Sequence, residues 1–400
     1  MTLVKSNLIF FKTLLFFLFD SLALSNVQYS RNNQLKLILI IRQDAIGDFV
    51  MWLDTAKEYR KLYPPDKYKI VLAGNKIWCD LAEELPYWDK VIPVDVKQFK
   101  TFSSYRWKLL RKIRKLKIET AIQPTFSREF YHGDALVRAS GALWKVSSAG
   151  DMANRNWLKQ FIADSWHTEL IPASTETLTE LERNAEFFSG LTNYTHLTCY
   201  PQLDIPDFWL SSEWKEKTFY ILVPGTSGAV AGKEWPSAFF SDLATKVFRQ
   251  TGWEGVICGT KQEHSLGEQI LKQSDSPLQN LCGQTTLVEL AGLLSQSRLT
   301  ISNDTGSVFL SSAVGTLSVC ILGGGHFGRF VPYPDLPGQT NNLKPVYHKM
   351  PCFGCNWVCI FPIIKGEPTP CIANISVGDV WSKVRHLLNQ QNFLNQKKLC

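Results

Sequence analysis

Short apolar runs recur along most of the chain, and longer amphipathic stretches separate them. The runs have the length and composition of buried strands, and the stretches between them have helical periodicity. This alternation favours an α/β fold in which helices cover both faces of parallel sheets. The strands predicted in the first half are 35–41, 68–73, 90–95, 119–124 and 144–149. Those predicted in the second half are 218–223, 254–259, 298–303 and 317–322.

The alternation occurs twice, which predicts two doubly wound, Rossmann-like domains with ligands bound at their strand ends. The predicted helices are 76–85, 103–116, 128–140, 176–190, 237–250, 262–272, 287–296 and 307–314. A linker rich in Pro and polar residues spans 200–217. We therefore predict a helix and linker at 1–34, a first domain at 35–205, and a second domain at 206–400 with a Cys-rich loop at 350–372.

The composition is that of a globular protein, with 45% hydrophobic and 20% charged residues. The net charge of +7 is modest for 400 residues, and no basic run is interleaved with aromatic residues, so we expect no nucleic-acid partner. The basic stretch 106–117 is either a solvated helix face or a contact for anionic lipid headgroups. Isolated cysteines within apolar runs, such as Cys258 and Cys320, indicate a reducing compartment.

The N-terminal stretch 8–24 is strongly apolar, but Lys12 and Asp20 interrupt it. A transmembrane helix needs about 20 uninterrupted apolar residues, so a cleaved signal peptide and a helix lying in the membrane surface are the two interpretations. We prefer the surface helix, because it keeps the chain in the cytosol, where its cysteines stay reduced. A polar linker at 25–34 predicts that this helix does not contribute to the domain core.

The pattern Ser302-Asn303-Asp304-Thr305-Gly306 predicts a turn between a strand and a helix. The N–H groups at the start of a helix have no intrahelical partner and attract anions, so a phosphate can bind there. The alternative is that Asp304 or Thr305 only caps the helix.

A second turn of this kind follows another predicted strand, at 223–228. Its glycines permit close backbone approach, the hydroxyls of Thr226 and Ser227 can donate to phosphate oxygens, and Lys233 supplies a cation. Glu263, after a third strand, can accept hydrogen bonds from a ribose diol. The alternatives are an ordinary strand-to-helix loop and an exposed Glu in the first turn of a helix.

Asp48 is the candidate for acid–base chemistry, since it lies at the opening of a predicted helix in the first half of the chain. A helix N-terminus stabilises the ionised carboxylate, which can then accept a proton. Helix capping is the alternative role. Asp44 is close enough in sequence to be a rival base or a contact for the acceptor.

Four motifs, in this order, resemble those of glycosyltransferase family 9, the heptosyltransferase-like enzymes of the GT-B fold. The motifs are IRQDAIGDFV, VPGTSGAVAGKEWP, LVELAGLLSQSRLTISNDTG and GTLSVCILGGG, and the resemblance covers residues 36–390. It implies two domains facing across a cleft and an inverting transfer of a heptose or related sugar from a nucleotide-diphosphate donor. The implied acceptor is a lipopolysaccharide or other cell-surface glycan at the cytoplasmic face of the cytoplasmic membrane.

The resemblance also implies roles for single residues. Asp48 would be the base, and Glu263 would hold the nucleoside. The residues implied to contact the donor diphosphate are Thr226, Ser227, Lys233, Asn303, Asp304, Thr305 and Gly306. The chain departs from the family at Phe309 and Leu317, where members commonly have His and Pro.

The glycine run 323–328 also satisfies a dinucleotide-binding pattern, so a nucleotide-dependent oxidoreductase is one alternative function. Such a run should open a helix and be followed by an acidic residue about 20 positions on, and the sequence predicts neither. We therefore interpret Gly324 as backbone that approaches the donor. A non-catalytic glycan-binding or nucleotide-binding protein is the other alternative.

Four cysteines in a Pro-rich loop are enough for a structural zinc site. They are Cys352, Cys355, Cys359 and Cys371. Reduced loop thiols are the interpretation we prefer, because the spacing departs from that of common zinc ribbons. The chain has no Asp-x-Asp motif for a metal-bound sugar nucleotide, so we expect no catalytic metal and no cofactor besides the donor substrate.

Overall fold

The computed structural model describes residues 2–28, 35–226, 228, 230–364 and 366–398. Over these residues the chain divides into two compact units, and each contains one parallel sheet of six strands. The first unit comprises Met1–Ala45, Asp54–Glu176 and Glu182–Thr198, and the second comprises Ile46–Leu53, Thr177–Leu181 and Cys199–Cys400. The long C-terminal segment of the second unit thus begins at Cys199 rather than at 206, and the second unit also includes the turn that carries Asp48.

The first sheet has the strand order β3-β2-β1-β4-β5-β6. Its strands are β1 (Lys36–Arg42), β2 (Tyr68–Asn75), β3 (Lys90–Val94), β4 (Thr120–Gln123), β5 (Trp144–Ser148) and β6 (Glu169–Ile171). The central strand β1 is buried from Leu37 to Arg42, as expected for a parallel strand covered on both faces. The sequence predicted the first five strands and missed β6.

The helices up to residue 192 are α1 (Thr2–Leu24), α2 (Ile46–Ala56), α3 (Glu58–Leu62), α4 (Cys79–Glu83), α5 (Val96–Phe99), α6 (Ser104–Lys115), α7 (Ala135–Ser140), α8 (Trp157–Asp164) and α9 (Glu180–Thr192). A 3₁₀ turn spans Lys76–Trp78. A π-helix spans Phe130–Asp134, within the helix predicted at 128–140. Since π-helices are rare and frequently mark functional sites, this segment is a candidate for function.

The prediction that the N-terminal helix stays out of the core is wrong. Phe16 of α1 is buried and its ring stacks on Phe102, with 3.9 Å between ring centroids. Asp20 accepts a hydrogen bond from Arg106 at 2.7 Å, and both side chains are buried. Asp20 interrupts the apolar pattern because it pairs with a cation that lies 86 residues further along the chain. No helix among the described residues is long and apolar enough to cross a membrane.

A buried polar cluster lies beside this helix and surrounds Arg128. The guanidinium donates to His167 Nε2 at 3.2 Å, lies 3.4 Å from Asp134 and pairs with Asp164. The other ring nitrogen of His167 is 2.8 Å from the Ala163 carbonyl, so it carries the proton and Nε2 accepts. Burial, and then the Arg128 charge, lower the pKa of His167 to about 3.

Acidification is therefore expected to destabilise the first unit through His167. As the pH falls, His167 binds a proton near pH 6.5 in the unfolded chain but only at about pH 3 in the folded one. The contribution of neutral His167 to the free energy of unfolding is therefore fully present above pH 6.5 and is lost as the pH drops toward about 3. Going from pH 6.5 to 5 should lower the free energy of unfolding by about 2 kcal/mol. Urea unfolding at both pH values, with His167→Gln as the non-titrating control, measures this loss; an equal loss in the control would contradict it.

The second sheet has the order β12-β11-β10-β7-β8-β9. Its strands are β7 (Phe219–Val223), β8 (Glu254–Ile257), β9 (Leu278–Asn280), β10 (Thr300–Asn303), β11 (Ser318–Ile321) and β12 (Leu343–Val346). The remaining helices are α10 (Ser237–Thr251), α11 (His264–Gln273), α12 (Leu287–Gln296), α13 (Gly306–Ala313), α14 (Pro370–Ala373) and α15 (Val377–Lys398). Short 3₁₀ turns span Asp207–Trp209, Ser212–Trp214 and Lys261–Glu263. The two sheets thus repeat one strand order, as the two alternating halves of the sequence predicted.

Candidate functional site

Each sheet reverses its strand order between two central strands, β1 and β4 in the first and β7 and β10 in the second. Ligands of such sheets bind outside the carboxyl ends of the strands at this point. Asp44 follows β1, Thr226 follows β7 and Asp304 follows β10. The residues predicted from the turns are therefore at the edges where a ligand is expected.

Lys233 and Asp304 of the second unit form an ion pair. Lys233 Nζ lies 2.9 Å from Asp304 Oδ2, and the side chains are only 16% and 5% exposed. Asp304 thus pairs with a cation. Thr305 occupies the cap position of α13 but makes no side-chain capping hydrogen bond. A cation and the start of an uncapped helix therefore lie together, which is the arrangement that attracts a phosphate.

Asn303 connects the two turns instead of pointing away from them. Its Nδ2 donates to the Pro224 carbonyl at 2.5 Å, and its Oδ1 accepts from the Trp235 backbone N–H at 3.3 Å. Asn303 is fully buried. The nitrogen and the oxygen of the Asn303 side-chain amide both form hydrogen bonds within the protein. The role of Asn303 here is therefore to hold the turns in register, a role that sequence reasoning missed.

The turn before Lys233 is anchored on both sides. The Thr226 hydroxyl donates to Glu234 at 3.1 Å, and Thr226 is buried. Trp235 is also buried, and its indole N–H donates to the Ile375 carbonyl at 2.8 Å. Ser227 lies outside the described residues. Lys233 therefore extends from a segment whose neighbours are fixed in the core.

Glu263 lies against the same turn. One carboxylate oxygen accepts from the Thr260 N–H at 2.6 Å and from its hydroxyl at 2.9 Å, which is a capping box. A Cβ atom on Gly225 would lie 1.8 Å from the other oxygen. A side chain at 225 would therefore displace the Glu263 carboxylate, which lies directly on the turn at 223–228.

Asp48 lies in the first turn of α2, which groups with the second unit. A Cβ on Gly47 would be 2.9 Å from the Phe309 ring, and one on Gly306 would be 2.6 Å from Ile46. The start of α2 therefore packs tightly on the start of α13. Phe309, at the family's usual histidine position, is 4% exposed and acts here as a packing residue.

Substituting Gly47 by Ala is expected to lower the free energy of unfolding by about 1–3 kcal/mol, because the methyl group overlaps the Phe309 ring. Phe309→Leu makes room, so the double variant Gly47→Ala/Phe309→Leu should recover part of that loss. Urea unfolding of the wild type, both single variants and the double variant measures the coupling. Simple additivity of the two single effects would show that the contact is not made.

The first unit holds a polar cavity of about 270 Å³ at the carboxyl ends of β1 and β4. Asp44 lines it, 3.1 Å from the Arg42 guanidinium, and accepts from the Thr125 hydroxyl at 3.2 Å. His132 of the π-helix also lines it, and burial with the nearby Lys100 charge lowers the pKa of this ring well below its usual value. The neutral imidazole and the carboxylate suit a hydroxyl-rich ligand. Sequence reasoning missed His132, because a π-helix has no clear sequence signature.

Comparison with known proteins supplies the family. The model of glycosyltransferase family 9 (heptosyltransferase) matches residues 159–356. The chain is similar to glycosyltransferase family 9 over these residues. It is therefore a glycosyltransferase, as the four motifs predicted.

Individual relatives agree with this family. Lipooligosaccharide heptosyltransferase 2 of Campylobacter jejuni is 31% identical over 34% of this chain and 41% of its own length. Lipopolysaccharide heptosyltransferase 2 of Salmonella typhimurium is 22% identical over 78% of this chain and 90% of its own length. The structure of E. coli heptosyltransferase WaaC with ADP-2-deoxy-2-fluoro heptose has a TM-score of 0.64 at 14% identity, covering 88% of this chain and 99% of that one. The predicted GT-B fold class is confirmed.

The glycine run of this glycosyltransferase does not open a helix, since the next regular element is β12. Cβ atoms on Gly324 and Gly325 would each lie 2.3 Å from an aromatic ring, that of Phe353 and that of Trp357 respectively. Close packing of these rings therefore accounts for the glycines, and donor contact by Gly324 stays a prediction. Sequence reasoning missed Trp357, whose ring lies 5.4 Å from Lys233 Nζ.

The four loop cysteines line one small cavity, which includes Gly324 and Trp357. Among the described residues, no group of three or more His, Cys, Asp or Glu side chains is arranged to hold a metal ion. The structure therefore does not assemble the zinc site that the number of cysteines allowed. Cys371 instead accepts from the Gly324 backbone N–H at 3.5 Å, which ties the loop to the glycine run.

Proposed function

We propose that this glycosyltransferase transfers a heptose or related sugar, with inversion, from an ADP-type donor to a lipopolysaccharide-type acceptor. The observation that carries the proposal is the Lys233–Asp304 pair beside the uncapped start of α13. The relatives named as heptosyltransferases, and the ADP-heptose analogue bound to WaaC, support the donor class. The absence of a helix after the glycine run removes the basis for the oxidoreductase alternative.

The donor diphosphate would lie between α13 and Lys233. The N–H groups of the first turn of α13 and the Lys233 ammonium would stabilise its negative charge, which increases on the leaving phosphate as the sugar departs. Asp304 holds Lys233 in place, and Glu263, which lies against the turn at 223–228, would bind the ribose. Because these groups are fixed before the donor binds, little reorganisation accompanies the reaction.

Asp48 would act as the base. Its carboxylate takes the proton from the acceptor hydroxyl, whose oxygen forms the new bond to the anomeric carbon from the face opposite the diphosphate. The bond between that carbon and the phosphate oxygen breaks, and the nucleoside diphosphate leaves with the electron pair. One such displacement inverts the anomeric configuration.

The polar cavity of the first unit is the proposed site for the acceptor sugar. Asp44, His132 and the neighbouring polar groups offer hydrogen bonds to several hydroxyls. A lipid-linked acceptor would bring the enzyme to the cytoplasmic face of the cytoplasmic membrane.

Thermal unfolding in the presence of a panel of nucleotide sugars tests the donor class. A ligand at 100 times its dissociation constant stabilises the folded state by ~2.7 kcal/mol. We expect ADP-heptose to raise the unfolding temperature more than UDP- or GDP-linked sugars do. If none of the nucleotide sugars raises it, the proposed function is wrong; if a UDP- or GDP-sugar raises it most, the ADP assignment is wrong.

A further inference from the structure

Helix α1 has two opposite faces. Thr13, Phe16, Asp20 and Ala23 follow the helical repeat on one face, and all four are buried in the first unit. The other face is apolar and exposed, and each of its large side chains is 41–63% accessible to solvent. These side chains are Phe10, Phe11, Leu14, Leu15, Leu18 and Leu22. We call them the outer stripe.

The outer stripe has apolar neighbours. Phe102 is 48% exposed and stacks on Phe16, beneath the stripe. Ala163 of α8 lies in the same buried apolar cluster as Phe16. The exposed face of α8 carries Trp157 and Phe161, which are 73% and 75% accessible. Exposed apolar residues scattered singly are ordinary, but six of them along one helix face mark a surface that binds something.

A basic groove borders α1, the helix that carries the outer stripe. It is formed by α6, whose sequence SYRWKLLRKIRK contains no acidic residue. The groove-lining side chains that carry charge are Lys108, Arg111, Lys112 and Lys115. Trp107 of α6 meets Phe19 of α1 edge to face at 5.4 Å, and Arg111 donates to the Ala23 carbonyl at 3.1 Å. The apolar stripe and the cationic groove are therefore adjacent parts of one surface.

We infer that this surface docks on an anionic phospholipid bilayer. Acyl chains would cover the outer stripe, and lipid phosphates would bind the groove. An anionic bilayer offers acyl chains to the outer stripe and negative charge to the groove. A second copy of the chain would instead place another cationic groove nearby, which would repel the first. The Asp20–Arg106 pair fixes α1 to the domain, so the helix docks the whole first unit and is not a flexible tether.

The inference rests on the membrane location in the proposed function and adds the surface and the lipid charge. Sedimentation of the full-length protein with vesicles tests it, using phosphatidylcholine alone and phosphatidylcholine mixed with phosphatidylglycerol. We expect tighter binding to the anionic vesicles. Phe11→Ser/Leu15→Ser should weaken binding to both vesicle types at least tenfold, because two exposed apolar side chains lose their lipid contact.

Lys108→Gln/Lys112→Gln tests the groove. Each charge near an anionic surface changes the affinity about fivefold, so this variant should bind anionic vesicles about 25-fold more weakly. Its affinity for neutral vesicles should equal that of the wild type. Tyr194→Ser is the matched surface control, since Tyr194 is 80% exposed on the same unit, and it should bind like the wild type. Circular dichroism checks that each variant is folded.

Wild-type affinity of Phe11→Ser/Leu15→Ser for both vesicle types would overturn the inference. If the wild type does not bind vesicles but forms a dimer, and the variant is monomeric, the outer stripe binds a second copy of the chain and the inference is wrong. Vesicle binding requires no donor, and transfer to a soluble acceptor analogue requires no bilayer. Docking without any transfer would therefore count against the proposed function alone, and transfer without docking against this inference alone.

Discussion

Replacing Asp48 by Asn is expected to lower turnover about 10²–10⁴-fold, the usual contribution of a positioned base. Asn is nearly isosteric but cannot take the acceptor proton. Donor affinity should barely change, because the proposed diphosphate contacts are the start of α13 and Lys233. Steady-state turnover with calorimetric donor binding separates the two quantities.

Asp44→Asn is the control for this assignment. Asp44 lies 3.1 Å from the buried Arg42 guanidinium and accepts from Thr125, so its loss should lower the stability of the first unit. We expect acceptor affinity to fall in Asp44→Asn while turnover at saturating acceptor persists. If turnover persists in Asp48→Asn and disappears in Asp44→Asn, Asp44 is the base. If both variants keep full turnover, the proposed mechanism is wrong.

Replacing Lys233 by Ala is expected to weaken donor binding about 10- to 150-fold. A charge-assisted contact to phosphate contributes about 1.5–3 kcal/mol. The substitution also leaves the buried Asp304 carboxylate without its cation, so that carboxylate would repel the diphosphate. Calorimetric titration with ADP measures the loss.

Asp304→Asn provides the second half of this test. In the double variant Lys233→Ala/Asp304→Asn the uncompensated carboxylate is gone, so ADP should bind more tightly than it does to Lys233→Ala alone. Unchanged ADP affinity in Lys233→Ala would remove the ammonium from the donor site. Equal affinity of the single and double variants would show that Asp304 does not face the diphosphate.

The fold was predictable where strands are apolar and central. β1 and β7 are apolar and buried on both faces, so their composition alone identifies them. The sequence did not reveal β6, β9 and β12, which are only three or four residues long and lie at or near sheet edges. Strands this short are partly polar and give no periodic signal.

The parts that could not be predicted depend on contacts distant in sequence. Asp20 was taken as an interruption of an apolar helix because its partner, Arg106, cannot be identified from spacing. Gly324 was interpreted through the donor, whereas the structure places the Phe353 ring where a Cβ atom at this position would lie. Local patterns report on turns and helix starts, and tertiary packing decides which side chains meet.

The candidate donor site was more predictable than the acceptor cavity. Strand-turn-helix patterns in the sequence identified Lys233 and Asp304 as candidate donor-site residues. In the structure Lys233 Nζ lies 2.9 Å from Asp304 Oδ2. Asn303 was expected to contact the donor, but its side-chain amide forms hydrogen bonds to the Pro224 carbonyl and the Trp235 N–H. His132 was not anticipated, because its position depends on a π-helix and on burial that only the folded unit creates.

Proton NMR of the reaction with ADP-heptose and a lipopolysaccharide-core acceptor tests the proposed transfer most directly. The spectrum reports ADP release, loss of the donor anomeric signal and the configuration of the new glycosidic bond. We predict that ADP is released in step with a product of opposite anomeric configuration, and only when acceptor is present. A product that retains the donor configuration would contradict inversion, and no product from ADP-heptose would contradict the heptosyl transfer itself.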